Sequence, residues 1–183
     1  MNRFTLDAAL AAALIATAPA ALAHGDKHDD GKPARIRQIS MQETSFGRQG
    51  NPATASRTVI VDMSDAMRFS PSEVRVNQGE TIRFVARNGG KTMHEMVLGN
   101  LDELKAHGEV MKKFPNMEHD EPYMAHVAPG ASQEIVWTFT KAGEFHFGCL
   151  LPGHFDSGMI GRVVVAAAKA PASPIAVPKG DRK

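Results

Sequence analysis

The chain has 183 residues, with 21 Lys+Arg against 20 Asp+Glu. This length suits about one domain, and the near-cancelling charge excludes the basic excess of a nucleic-acid binder. A single Cys excludes an intramolecular disulfide framework and a Cys-rich zinc site, while ten Met and eight His are a large supply of soft and borderline metal donors.

Residues 1–23 have the form of an export signal. Arg3 gives a positive start, Ala8 to Ala18 is an apolar run too short to span a bilayer, and Ala21-Leu22-Ala23 is an A-x-A cleavage site. Cleavage after Ala23 leaves a soluble exported chain beginning at His24, without a further stretch long enough to cross a membrane. Residues 24–56 are polar, rich in Gly, Asp, Lys and Gln, and lack periodic apolar positions. Such a segment buries too little surface to offset its ordering entropy, so a disordered arm bearing His24 and His28 is expected. Residues 166–183, punctuated by Pro and Gly, are expected to be a disordered tail.

The folded unit is then 57–165, where the apolar period is mostly two. Thr58 to Asp62 and Glu73 to Val76 are predicted strands, the second followed by the turn Asn77-Gln78-Gly79. Ile82, Phe84 and Ala86 alternate with Arg83, Val85 and Arg87, as in a half-buried strand, and Ile135, Trp137 and Phe139 repeat the pattern. Gly143 to Cys149 and Gly161 to Val165 complete the set. Short strands with Gly/Pro turns predict an all-β fold, an antiparallel β-sandwich. One helix, near 101–114, interrupts it: Asn100 stands three residues before Glu103 as in a capping box, Leu101, Leu104, Met111 and Phe114 share a face, and Pro115 ends it.

The segment from Phe147 to Met159 puts Cys149, His154 and Met159 on one strand-to-strand loop, which Pro152, Gly153 and Gly158 allow to fold back. A second imidazole must come from elsewhere. His94, after the turn Gly89-Gly90, is the leading candidate, and His126 is the alternative. One Cys, two His and a weak Met form the ligand set of blue-copper electron-transfer sites. Thiolate and thioether favour Cu(I), and imidazole accommodates both oxidation states.

These residues, with Phe69-Ser70-Pro71, Val74-Arg75-Val76 and Gly79-Glu80, resemble the cupredoxins, the plastocyanin, azurin and pseudoazurin superfamily. More narrowly, Met93 to Gly99 and Lys113 to Pro122 resemble the periplasmic cupredoxins linked to bacterial copper tolerance. The resemblance implies a Greek-key sandwich and one type 1 copper centre held by His94, Cys149, His154 and Met159. Two features depart from it. The Cys-to-His spacing is longer than in plastocyanin, and Glu95 stands where many electron carriers have an Asn.

The remaining donors admit two readings. Met93 and Met96 flank His94, and Met117, His119, Met124 and His126 cluster after the helix. They form either a second, labile copper site or the packing and rim of the insertion. His24, carrying the new amino terminus, and His28 are expected to bind copper weakly, with His107 solvated and His146 exposed on its strand.

The function expected is copper tolerance in the periplasm, with copper or its electron passed to a redox or copper-handling partner. A plain periplasmic electron carrier is the alternative. An enzyme is not expected, because such enzymes need further copper centres and usually a second domain, and a two-copper electron-transfer centre needs two bridging Cys. The protein is expected to act as a monomer, with no nucleic-acid partner.

Overall fold

The computed structural model describes residues 39–115, 117 and 120–168. Among these, ten strands form two five-stranded sheets. The strands are β1 (Arg48–Gln49), β2 (Arg57–Ser64), β3 (Arg68–Ser70), β4 (Glu73–Asn77), β5 (Thr81–Asn88), β6 (His94–Gly99), β7 (Met124–Val127), β8 (Ser132–Thr138), β9 (Gly143–Gly148) and β10 (Ile160–Ala166). One sheet runs β1-β8-β5-β2-β3, the other β4-β10-β9-β6-β7. The Greek-key β-sandwich is therefore the fold observed, with a correction to its pairing. β2 with β5 and β4 with β10 are parallel, so both sheets are mixed. A period of two marks a strand with one buried face but carries no information about the direction of its neighbour.

The alternation seen in the sequence becomes the core. Ile82, Phe84 and Ala86 of β5 and Ile135 and Trp137 of β8 point into the sandwich, against Phe145 and Phe147 of β9 and Val163 and Val165 of β10. Each such side chain contributes about 1.5–3 kcal/mol by leaving water. β6 differs, being buried along its whole length. Met96 and Leu98 face the main core, while Val97 faces a second cluster with Leu104, Met111, Met124 and Leu150.

That second cluster is built by the helix, α1 (Leu101–Lys113). The Glu103 carboxylate accepts the Asn100 backbone N–H at 3.2 Å, capping its start as the sequence suggests. Its buried face is Leu104, Gly108 and Met111; Phe114, expected on that face, lies beyond the last turn and is 60% exposed.

The disordered arm expected over 24–56 is corrected within its described part. Residues 39–56 pack on the sandwich: β1 pairs with β8, and Phe46 is only 4% exposed. The Phe46 ring stacks on Trp137 at 5.1 Å and meets Tyr123 edge-on at 5.4 Å, and its carbonyl accepts the Trp137 indole N–H at 3.2 Å. One aromatic side chain with a built pocket holds this segment, and a single residue leaves no periodicity to detect. Residues 1–38, with the expected signal, His24 and His28, lie outside the described residues, as do His119 and 169–183.

Candidate metal centre

The centre lies where β6 and β9 run side by side and the loop 149–159 joins β9 to β10. β9 ends at Gly148 and delivers Cys149, fully buried. The loop then turns back on itself. The His154 N–H donates to the Leu151 carbonyl at 3.0 Å, and the Gly158 N–H to the Phe155 carbonyl at 2.9 Å. Gly153 and Gly158, at φ 84° and 90°, supply the left-handed conformations these turns require. Two bonds of 3.1 Å, Met159 N–H to the His154 carbonyl and Cys149 N–H to the Met159 carbonyl, close the loop. Met159 is fully buried as part of the main core.

His94 is the first residue of β6 and is fully buried. His94, Cys149 and His154 each present one ligand atom within 4.8 Å of the others. His94 Nδ1 lies 3.3 Å from His154 Nδ1, which lies 3.2 Å from Cys149 Sγ. Two imidazole nitrogens and one sulfur thus converge from two segments of chain. His154 is the half-buried member, so the cluster meets the surface at its ring.

Burial sets the protonation of Cys149 and His154. Burial pushes the Cys149 thiol up to about 12, although the Glu95 and Leu151 backbone N–H groups pull the other way. The thiol therefore stays protonated at neutral pH until a metal displaces the proton. Burial, reinforced by His94, lowers the His154 pKa, while Asp65 opposes it. The Glu95 backbone N–H donates to Cys149 Sγ at 3.3 Å, so the main chain ties the two segments together whatever side chain stands at 95.

Residues 56–166 match the family described as copper binding proteins of the plastocyanin/azurin family. The chain belongs to that family. It is 53% identical over 138 residues to the copper-resistant cuproprotein CopI of Rubrivivax gelatinosus, covering 75% of this chain and 84% of that protein. It is 34% identical over 150 residues to CopI of Pseudomonas aeruginosa, covering 66% and 82% respectively. Reduced auracyanin from Roseiflexus castenholzii matches with a TM-score of 0.54 at 23% identity, over 61% of this chain and 98% of that one. Auracyanin B matches with a TM-score of 0.56 at 20% identity, over 68% and 96%. At these identities the two structures bear on the fold. A buried thiol grouped with two imidazoles fits the family's copper, which prefers this soft and borderline donor set.

In this cupredoxin the other expected donors among the described residues take separate places. Met124 is 6% exposed and packs beneath α1 with Leu104 and Met111. His126, the alternative second imidazole, instead sits with Nδ1 2.9 Å from the buried Glu95 carboxylate. Met96 is in the main core, whereas Met93 and Met117 are exposed. Among the described residues, His94, Cys149 and His154 form the one grouping of three or more His, Cys, Asp or Glu donors. His146, expected to be exposed, is half-buried; its Nδ1 is buried without a hydrogen-bond partner, and burial lowers its pKa.

Two residues around the cluster are missed by sequence reasoning. Asp65, in the turn after β2, lies 3.2 Å from His94 Nε2. Asn88, buried at the end of β5, donates to the Thr92 carbonyl at 2.7 Å and the Val127 carbonyl at 2.8 Å, and accepts the Gly90 N–H at 2.9 Å. The only sequence signal for Asn88 is its place before Gly89-Gly90, and Asp65 has none, because its partners are far along the chain.

Among the described residues, no helix is long and apolar enough to cross a membrane.

Proposed function

We propose that the chain is an exported, periplasmic copper protein of bacterial copper tolerance, holding one copper ion at His94, Cys149 and His154 with Met159 as a weak fourth ligand. The observation that carries this reading is the convergence of one buried thiol and two imidazoles in a cupredoxin fold. The relatives are copper-resistant cuproproteins, which supports the biological role. One donor cluster among the described residues, in a domain of the copper-binding family, supports a binding protein rather than an enzyme.

When bound, copper supplies a one-electron Cu(I)/Cu(II) couple. The chain's part is to prepare the pocket. Cys149 Sγ gives up its proton on loading and keeps the Glu95 N–H as a hydrogen-bond donor. His94 and His154 present their Nδ1 atoms from separate segments, held by β6 and by the closed loop. Burial of His94, Cys149 and Met159 excludes water and leaves the His154 edge as the route in. A rigid frame serving both oxidation states keeps reorganisation small. The polypeptide then sequesters the ion, or passes it or its electron to a redox or copper-handling partner.

A second reading, a soluble electron carrier, is favoured by the surface around His154, where half-buried Leu151 and Phe155 and exposed Pro152 form an apolar rim. Weak redox encounters use such small interfaces. Copper-challenge growth separates the two. A deletion strain is expected to be copper-sensitive, with tolerance restored by the wild-type chain and not by Cys149→Ser. Unchanged tolerance together with a respiratory defect at trace copper would transfer the role to electron carriage.

A further inference from the structure

Asp65 sits in the turn between β2 and β3, far in sequence from every residue of the donor cluster. Its Oδ1 lies 3.2 Å from His94 Nε2, on the side of the ring away from His154 and Cys149. The carboxylate is itself fixed. Lys91 N–H donates to Oδ2 at 2.8 Å, Thr92 Oγ1 to Oδ1 at 2.9 Å, and Thr92 N–H to Oδ1 at 3.3 Å. Gly90 makes room for it, since a Cβ there would fall 2.1 Å from Oδ1. All three N–H and O–H groups donate to the carboxylate, which as an ordinary aspartate is ionised at neutral pH and only accepts. His94 Nε2 must then carry the ring proton, which leaves the Nδ1 lone pair facing the other two donors.

We infer that Asp65 is a positioning residue of the metal centre: its carboxylate locks the ring and tautomer of His94 and biases the site toward the more highly charged Cu(II). This rests on the copper-centre reading above. A carboxylate behind a ligating imidazole fixes its orientation and raises its basicity. It also places a negative charge near the ion, which stabilises the oxidised state more than the reduced one.

The test is Asp65→Asn, which keeps size and acceptor but removes the charge. Three quantities are measured on wild type and variant: Cu(II) and Cu(I) affinity by chelator competition, the reduction potential, and the visible thiolate-to-Cu(II) band. The variant is expected to lose about 10–100-fold in Cu(II) affinity with a much smaller change for Cu(I). The potential then rises by about 59 mV for each tenfold change in the affinity ratio. In the apoprotein, nitrogen NMR is expected to show His94 as the Nε2–H tautomer in wild type and as a mixture in the variant. Equal losses for both oxidation states with an unchanged potential would make Asp65 merely structural and overturn the inference. If Asp65→Asn does not fold, Thr92→Val carries the test: it removes the hydroxyl that fixes the carboxylate, and a rise in potential supports the inference while no shift overturns it. Absence of the thiolate band from wild type would instead defeat the copper-centre reading itself, so the two failures are distinguishable.

Discussion

Two regions of this molecule are rich in the same donor chemistry and use it differently. At the end of the sandwich, His94, Cys149 and His154 bring three ligand atoms within 4.8 Å of one another. After α1, Met117, Met124 and His126 are spread over a surface, a small core and an ion pair. The difference lies in the scaffold. The first set is fixed by a strand start and a loop closed by its own backbone bonds and converges, whereas Met124 and His126 on β7 spend their side chains on packing and on the Glu95 carboxylate. Donor composition alone therefore does not make a site; convergence on rigid elements does.

The sharpest way to break this comparison is to exchange the effects of its members. Cys149→Ser is expected to abolish the intense visible absorption of the Cu(II)-loaded protein. His126→Gln is expected to keep it, since His126 faces Glu95 rather than the cluster. Absorption spectra of the two variants at equal copper loading decide the matter, and an unchanged band in Cys149→Ser would refute the assignment.

Next in size is the support beneath the second region. Phe46 stacks on Trp137 and meets Tyr123, the residue just before β7. Phe46→Ala is expected to cost about 3–5 kcal/mol in denaturant unfolding, as large-to-small core changes do, while the spectrum of the folded fraction is retained. A cost within about 0.5 kcal/mol, typical of surface substitutions, would show that the 39–56 segment is not part of the domain.

Phe46 also marks the limit of what the sequence reveals. Strands such as β5 and β8 were legible because every second residue is apolar and one face is buried. Helix α1 was legible through Asn100, Glu103 and its apolar face. The thiol and imidazole of Cys149 and His154 were legible because they share a loop, and His94 was legible through a glycine turn and a family resemblance. Short strands such as β1 and β3, of two and three residues, offer no period to read. Asp65, Asn88 and the His126–Glu95 pair depend on contacts between distant segments, which local pattern does not encode. His126 and Met124 show the converse case, where residue type admits two readings and the fold places His126 beside the Glu95 carboxylate and Met124 against Leu104 and Met111.

Met124 allows the two readings to be separated. Met124→Ala is expected to destabilise the fold by about 2–5 kcal/mol, because it opens a cavity beside Leu104 and Met111. Copper stoichiometry at saturation should not change. A lower stoichiometry in a variant of undiminished stability would return Met124 to the list of ligands and erase the contrast between the two regions.

The smallest effect concerns a histidine that neither region uses. His146 on β9 faces Gly99 of β6 and Arg162 of β10, with Glu144 on its own strand and Lys105 on α1. Burial lowers its pKa, with Arg162 and Lys105 acting in the same direction and Glu144 opposing. The unfolded chain therefore takes up a proton at higher pH than the folded one. Stability is fully present above the ordinary histidine pKa of about 6.5, and declines as pH falls through that value toward the lower folded pKa. His154 contributes a decline of the same sign in the apoprotein. His146→Gln should slightly flatten the apoprotein's loss of stability as pH falls below about 6.5, leaving the share that belongs to His154. An unaltered slope, measured by urea unfolding at several pH values, would mean that the His146 ring titrates as it does in water. The donor cluster would then hold the neutral imidazole that matters for acid stability.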